Sequence, residues 1–191
     1  MVEQNKCVIP LHRPDTNEMM FFFVCGVIMS VPITIFISSL ADPLLGTFDI
    51  FTAALISTGI FAPLIEEFSK IFPLYYRHGE TQRSINNLAL AVGLGFGVVE
   101  MIIYVAVGGI GILPIRMLGL LFHPASTSIA AYGIATKKPL PYYGLAVGLH
   151  FANNFLALTN PLPISISVII VALTVWIAWN LRRKTKEIFI S

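Results

Sequence analysis

Long uncharged apolar segments recur along this chain, and they constrain its fold more than any other feature. The first runs from Met19 to Leu40, 22 residues without a charged side chain. An α-helix rises about 1.5 Å per residue, so about 20 residues span a hydrocarbon core roughly 30 Å thick. Five further segments cover approximately residues 48–76, 85–108, 112–135, 142–158 and 162–181. The sequence therefore predicts an all-α polytopic membrane protein, a bundle of about six transmembrane helices.

Composition agrees with this prediction. Apolar residues make up 56% of the 191 residues, charged residues make up 12%, and the mean hydropathy is +0.81. Such values exclude a soluble globular domain as the default. Cys7 and Cys25 are the two cysteines, and without a CxxC spacing they indicate neither a disulfide framework nor a cysteine-rich metal site.

The positions of the basic residues predict the orientation in the membrane. Ten of the 12 Lys and Arg flank the segments on one side: Lys6, Arg13, Arg77, Arg83, Lys137, Lys138, Arg182, Arg183, Lys184 and Lys186. Loops near 41–47, 108–111 and 159–163 carry none. Because basic residues favour the cytoplasmic side, both termini are expected in the cytoplasm. The expected location of the protein is the plasma membrane. The length of the first segment argues against a cleaved signal peptide ending near Ala41.

The chain is accordingly expected to contain one transmembrane domain. Residues 1–18 form a cytoplasmic N-terminal segment, residues 19–181 form the helical domain, and residues 182–191 form a basic cytoplasmic tail. We expect the tail to anchor against anionic lipid headgroups rather than to bind nucleic acid.

Two adjacent carboxylates and a lysine interrupt the second apolar segment. A charge at the centre of a spanning helix costs roughly 3 kcal/mol, so Glu66, Glu67 and Lys70 must face a polar interior or pair with one another. Lys70 follows Glu66 by four residues and Glu67 by three, so it is within reach of either carboxylate. One glutamate is expected to be neutralised and the other left free for chemistry. The alternative is a purely structural ion pair.

Ionisable residues on four predicted helices fall at similar depths. Glu67 lies ten residues before Arg77, Glu100 fifteen after Ile85, His123 thirteen before Thr136, and His150 nine after Pro141. At about 1.5 Å per residue, these depths are roughly 14–22 Å, near the middle of the hydrocarbon core. We therefore expect Glu67, Glu100, His123 and His150 to form one buried polar layer.

Carboxylates and imidazoles in one layer suit hydrolysis. A glutamate, Glu66 or Glu67, can deprotonate water, and histidines can hold a divalent metal or donate to an oxyanion. Glu100, His123 and His150 would satisfy a catalytic zinc ion, although the chain has no HExxH motif and this metal site is inferred from residue types alone. Asn154 lies one turn after His150, where it can orient the imidazole or donate to an oxyanion.

Several residues have structural interpretations as well. His123 and the Pro124 that follows it are also typical of a helix kink, where hydroxyl groups satisfy the freed backbone, and His150 with Asn154 can simply join helices. Arg116 can extend to the membrane surface or pair with Glu100. Gly93 and Gly97, at GxxxG spacing, predict a close helix contact rather than a dinucleotide-binding loop.

Three motifs resemble those of the PrsW family of intramembrane proteases. The residues Glu66-Glu67-Phe68-Ser69-Lys70 fit EExxK, Phe96-Gly97-Val98-Val99-Glu100 fits FxxxE, and His150-Phe151-Ala152-Asn153-Asn154 fits an HxxxN/D element shared with CAAX-processing and bacteriocin-processing proteases. The resemblance covers roughly residues 50–160. The PrsW pattern ends in an aspartate where this chain has Asn154. The resemblance leaves open whether His123 or His150 is the essential histidine.

This resemblance implies an intramembrane endopeptidase. Glu66 and Glu67 would activate water, and Glu100, His150 and Asn154 would complete the site. We slightly prefer Glu66 as the base, with Lys70 as the counter-ion of Glu67. The substrate would be a membrane-anchored protein or peptide. Two other functions are compatible with a polar layer: a proton-coupled or ion-coupled transporter, although no internal repeat supports it, and a non-catalytic scaffold.

Overall fold

A computed structural model describes residues 12–29, 31–76, 81–159 and 164–190, and this part of the chain is almost entirely helical. Lys6, Cys7, Arg77 and the predicted turn at 160–163 lie outside the described residues. The α-helices are α1 (Thr16–Met29), α2 (Val31–Leu45), α3 (Ile50–Ala54), α4 (Ala62–Ile71), α5 (Gln82–Gly108), α6 (Leu113–Arg116), α7 (Gly119–Ala135), α8 (Pro139–Thr159) and α9 (Ile164–Lys184). A π-helix, Leu55–Phe61, joins α3 to α4, and 3-10 turns occupy Phe72–Tyr76 and Ile110–Ile112.

The predicted all-α membrane architecture is confirmed. Five helical stretches in the described residues are long and apolar enough to cross a membrane: Thr16–Ala41, Ile50–Tyr76, Gln82–Gly108, Ile110–Ala135 and Ile166–Lys184. The fifth predicted segment is also a helix, the 21-residue α8. Its polar residues His150, Asn153 and Asn154 lower its mean hydropathy, and all three line an internal cavity. The protein is thus a multi-pass membrane protein.

The fourth predicted segment is not one continuous helix. Gly109, with a φ of 83°, ends α5 in the left-handed region that glycine adopts without strain. Pro114 then occupies the first turn of the short α6, where its missing N–H costs nothing. A turn at Met117 and Leu118 separates α6 from α7. As a result α7, which carries His123, begins at Gly119, seven residues after the start of the predicted segment.

Glycines set the spacing between α5 and its neighbours. A Cβ on Gly93 would lie 2.6 Å from the carbonyl oxygen of His123, and a Cβ on Gly97 would lie 3.1 Å from the carbonyl oxygen of Gly119. On the opposite face of α5, a Cβ on Gly95 would meet the Phe23 carbonyl oxygen of α1 at 2.0 Å. The close helix contact predicted from Gly93 and Gly97 is therefore confirmed, and its partner is α7.

Gly93→Ala should consequently force α5 and α7 apart, because the atoms that the new Cβ meets are backbone. We expect a loss of about 1–3 kcal/mol in the free energy of unfolding, measured by denaturant titration in detergent micelles. Gly148→Ala is the matched control on α8, where a Cβ meets nothing within 4 Å, and it should be neutral or stabilising by up to about 1 kcal/mol. Equal stability of the two variants would contradict this interpretation of the α5–α7 contact.

The C-terminal residues pack on the beginning of α5. The first turn of a helix leaves its N–H groups without partners in the helix itself. Here the Ile188 carbonyl accepts from Gln82 N at 3.1 Å, and the Lys186 carbonyl accepts from Arg83 N at 3.1 Å. Arg182, counted in the predicted tail, lies within α9 and donates to Asn86 Oδ1 at 3.0 Å. The basic tail is therefore partly a structural cap of α5.

Candidate functional site

The ionisable residues of the predicted layer meet in the interior of the bundle. They come from four helices: Glu66, Glu67 and Lys70 from α4, Glu100 from α5, His123 from α7 and His150 from α8. A cavity of about 430 Å³ lies against them, and Glu66, Glu100, His123 and His150 are among its lining residues. The predicted convergence of these side chains is a feature of the structure.

Glu67 and Lys70 form a completely buried ion pair. Lys70 Nζ donates to Glu67 Oε1 at 2.6 Å, and both side chains have an exposed fraction of 0%. The same oxygen accepts from Ser126 Oγ at 3.1 Å and contacts His150 Nδ1 at 2.8 Å. These three contacts offset much of the desolvation cost of burying the Glu67 carboxylate. Of the two glutamates within reach of Lys70, Glu67 is therefore the one that it pairs with.

Glu66 has a different environment from its neighbour. Its side chain borders the cavity, and no described residue offers a hydrogen bond to its buried Oε2. A basic group lies close to it: His150 Nε2 is 3.7 Å from Glu66 Oε2, beyond direct hydrogen-bonding distance. The Oε2 of Glu67 likewise has no partner from the described residues, but Glu67 does not line the cavity. Of the two carboxylates, Glu66 is therefore the one that a molecule in the cavity can contact.

Hydrogen-bond partners determine which ring nitrogen of each histidine carries the proton. An ionised carboxylate only accepts, so the contact with Glu67 assigns the proton of His150 to Nδ1 and leaves a lone pair on Nε2. An ammonium group only donates, so Lys70 Nζ, 3.2 Å from His123 Nδ1, makes that nitrogen the acceptor. His123 then carries its proton on Nε2, where it donates to Glu100 Oε2. The two rings are opposite tautomers.

Glu100 also contacts a cation at the edge of the cavity. Arg116 Nη1 lies 3.9 Å from Glu100 Oε1, and the Arg116 guanidinium stacks on the Tyr104 ring with its Cζ 3.5 Å from the ring centroid. Stacking on an aromatic face favours the cation and fixes its orientation. Of the two alternatives for Arg116, pairing with Glu100 is the one that the structure supports.

Phe96 packs against two of the ionisable residues, Lys70 and His123. Its ring is 2% exposed, Lys70 Nζ lies 4.9 Å from its centroid, and the His123 ring lies 5.0 Å from it. Sequence reasoning gave no role to Phe96, Tyr104 or the Glu67 contact of Ser126. For Ser126 the signal was its position three residues after His123, which places it on the same face of α7.

Asn154 holds α8 against the π-helix. In that segment the Ala62 N–H reaches back to the Ser57 carbonyl, and the next residue, Pro63, has no N–H to give to the Thr58 carbonyl. Asn154 Nδ2 donates to this carbonyl oxygen instead, at 2.9 Å. The π-helix precedes Glu66 by only five residues, so this bond helps to set the position of the carboxylates. One amide hydrogen of Asn154, which was expected to orient His150 or to donate to an oxyanion, is thus engaged by the backbone.

The cavity extends from the layer in one direction. On α4 and the π-helix, its lining residues besides Glu66 precede that residue, and Thr58 is one of them; on α8 they follow His150 as far as Leu158. Ser167, near the start of α9, also lines it. The cavity therefore leads toward the end of the bundle where α8 ends and α9 begins, away from both described chain ends.

The residue types suit a divalent metal, but their arrangement does not gather three ligands. A catalytic zinc ion needs three protein ligands around an open position. Among the described residues, no group of three His, Cys, Asp or Glu side chains is placed to hold a metal ion. His123 is engaged at both nitrogens, by Lys70 and by Glu100. The predicted set of Glu100, His123 and His150 therefore does not present three open ligand atoms, because His123 has none left.

Comparison with known proteins identifies a family. A family model described as PrsW family intramembrane metalloprotease matches residues 15–179. No curated protein and no solved structure matches the chain. The matched range contains the whole polar layer and most of the described helices.

Proposed function

Because the chain belongs to the PrsW family of intramembrane metalloproteases, we propose that it hydrolyses a peptide bond of a membrane-anchored protein or peptide using water activated by Glu66. Family membership makes the protein a membrane peptidase, which favours hydrolysis over the transporter and scaffold alternatives. One observation supports Glu66 rather than Glu67 as the base. Both carboxylates have a buried Oε2 without a partner from the described residues, but of the two it is Glu66 that lines the cavity, with its Oε2 3.7 Å from His150 Nε2.

These two atoms suit a water nucleophile. A water about 2.8 Å from each can donate one hydrogen to Glu66 Oε2 and the other to the lone pair of His150 Nε2. Its own lone pair then points into the cavity, toward a substrate carbonyl carbon. Glu66 takes the proton as the C–O bond forms and returns it to the leaving amine as the C–N bond breaks. Glu67, held by Lys70, orients His150 through Nδ1.

The other predicted residues complete this proposal. His123 is held at Nδ1 by Lys70 and donates its Nε2–H to Glu100, so it acts as a positioning residue for the Glu100 carboxylate, which lines the cavity. Asn154 acts as a positioning residue through the Thr58 carbonyl. A divalent metal such as zinc agrees with the family description, but binding by Glu100, His123 and His150 would require His123 to release Glu100 or Lys70. Metal analysis of the purified protein tests that set.

The direction of the cavity supports a proposal for the side of the membrane from which substrate enters. The bundle is proposed as one domain, residues 19–181, with residues 1–18 and 182–191 in the cytoplasm of a cell whose plasma membrane holds it. The cavity leads away from both described chain ends. A substrate would therefore reach Glu66 from the extracytoplasmic half of the membrane.

Cleavage by the reconstituted protein tests the proposal. The substrates are single-span model peptides in liposomes, with varied juxtamembrane sequences on each side and cleavage followed by mass spectrometry. Glu100→Gln and His150→Gln are expected to lower the rate by about 100-fold or more, because each removes a group that holds or receives a proton at the site. His12→Gln, at an exposed histidine outside the spans, is the matched control and should be fully active. Wild-type rates in both site variants would overturn the proposal.

A further inference from the structure

Among the described residues, six buried side-chain polar atoms have no hydrogen-bond partner, and four of the six belong to residues that line one cavity. Beyond the catalytic layer, Asn153 Oδ1, Thr34 Oγ1 and Arg116 Nε are each buried, and no described residue supplies them with a hydrogen bond. All three residues line the cavity that borders Glu66. Leaving a buried polar atom unpaired costs roughly 1–3 kcal/mol. Three such atoms around one space point to a ligand that provides the missing partners.

The three atoms differ in hydrogen-bonding character. An amide oxygen such as Asn153 Oδ1 only accepts, a guanidinium nitrogen such as Arg116 Nε only donates, and the Thr34 hydroxyl does both. Arg116 cannot easily turn away, because its guanidinium stacks on Tyr104 at 3.5 Å. The set therefore matches a ligand that alternates N–H donors and C=O acceptors at short intervals.

An unwound peptide backbone is such a ligand. A peptide bond inside a helix has its carbonyl and N–H engaged, so a membrane-anchored substrate must unwind before water can attack it. In the hydrocarbon layer every freed N–H or C=O costs several kcal/mol unless the protein replaces its partner. A cavity of about 430 Å³ is within the size range of ligand pockets.

We propose that Asn153, Thr34 and Arg116 form a backbone-binding subsite for an extended peptide segment of the substrate. This inference rests on the proposed function, since it assigns the conformation in which the substrate reaches Glu66. Asn153 lies three residues after His150 on α8, which is about 4.5 Å along the helix axis. It therefore accepts an N–H within one or two residues of the bond to be cleaved. The motif residue Asn154 supports the protein backbone, and its neighbour Asn153 supports the substrate.

Binding to a variant without the proposed base tests the subsite separately from proteolysis. The Glu66→Gln protein in nanodiscs is titrated with a labelled single-span peptide, and then with versions in which each amide near the centre of the peptide is replaced in turn by an ester. Removing the N–H that Asn153 accepts should weaken binding about 5-fold to 10-fold at one position. Adding Asn153→Leu or Asn153→Ala should abolish that sensitivity, and adding Thr34→Val should weaken binding of the all-amide peptide.

The matched control is Asn180→Leu, at an asparagine of α9 that donates to the Trp176 carbonyl at 2.8 Å and does not line the cavity. It should leave both affinity and ester sensitivity unchanged. The subsite is contradicted if no ester position loses affinity in a way that depends on Asn153, even when the Ala and Leu variants fold. Failure of the proposed function gives a different result, which is ester-sensitive binding with no cleavage by the wild-type protein.

Discussion

Glu66→Gln is expected to lower kcat/KM for peptide cleavage by about 10²–10⁴-fold while leaving the free energy of unfolding unchanged or slightly increased. Glutamine has the shape of glutamate but cannot take a proton from water. No described residue bonds to Glu66 Oε2, so the substitution breaks no contact of that atom. It also removes the cost of burying an unpaired carboxylate. The measurements are the cleavage rate of a single-span peptide in liposomes and denaturant unfolding in micelles.

The neighbouring residue supplies the matched control. Glu67→Gln makes the same chemical change one position along α4, but there it removes the counter-charge of the buried Lys70 and leaves a neutral amide oxygen in place of the ionised acceptor of His150 Nδ1. We expect it to lose stability as well as activity. If Glu67→Gln instead loses activity at full stability while Glu66→Gln remains active, the roles of the two glutamates are the reverse of our proposal.

The sequence predicted the polar layer because the rise per residue of a helix is enough to estimate how deep each side chain lies in the membrane. Glu67, Glu100, His123 and His150 meet in the structure as expected, and Gly93 makes the close contact that its spacing indicated. Depth and spacing do not specify partners, however. Lys70 is within reach of Glu66 and Glu67 along the helix, and only the position of α7, which brings Ser126 and His123 to the same ammonium group, decides between them.

Other features depend on backbone irregularities that apolar patterns do not reveal. Pro63 leaves the Thr58 carbonyl without an N–H, and the bond from Asn154 that replaces it joins residues 96 positions apart. The break between α6 and α7 and the packing of Ile188 on Gln82 are likewise tertiary features. Irregular backbone within a membrane is tolerated where the protein itself satisfies it, and here one such segment lies beside the proposed catalytic carboxylates.

The largest effect on stability is expected from separating Glu67 and Lys70. Lys70→Met leaves the Glu67 carboxylate, which is 0% exposed, without its cation, and Glu67→Gln leaves the ammonium group without its anion. Each single change should cost about 3–5 kcal/mol of unfolding free energy, because an uncompensated charge remains buried. The double variant should regain most of that loss, since the methionine and glutamine side chains that replace the pair carry no charge. Denaturant titration of the four proteins in micelles gives the coupling energy directly.

An exposed pair at the same distance calibrates the cycle. His12 Nε2 lies 2.6 Å from Glu18 Oε2, matching the 2.6 Å between Lys70 Nζ and Glu67 Oε1, but the His12 side chain is 54% exposed. Its double-mutant cycle with Gln at both positions should give a coupling of about 1 kcal/mol or less, because water screens the interaction. A similarly small coupling at Glu67 and Lys70 would mean that water reaches them. In that case Lys70 would not hold Glu67 ionised in a dry interior, and the distinction between a fixed carboxylate and a reactive Glu66 would lose its physical basis.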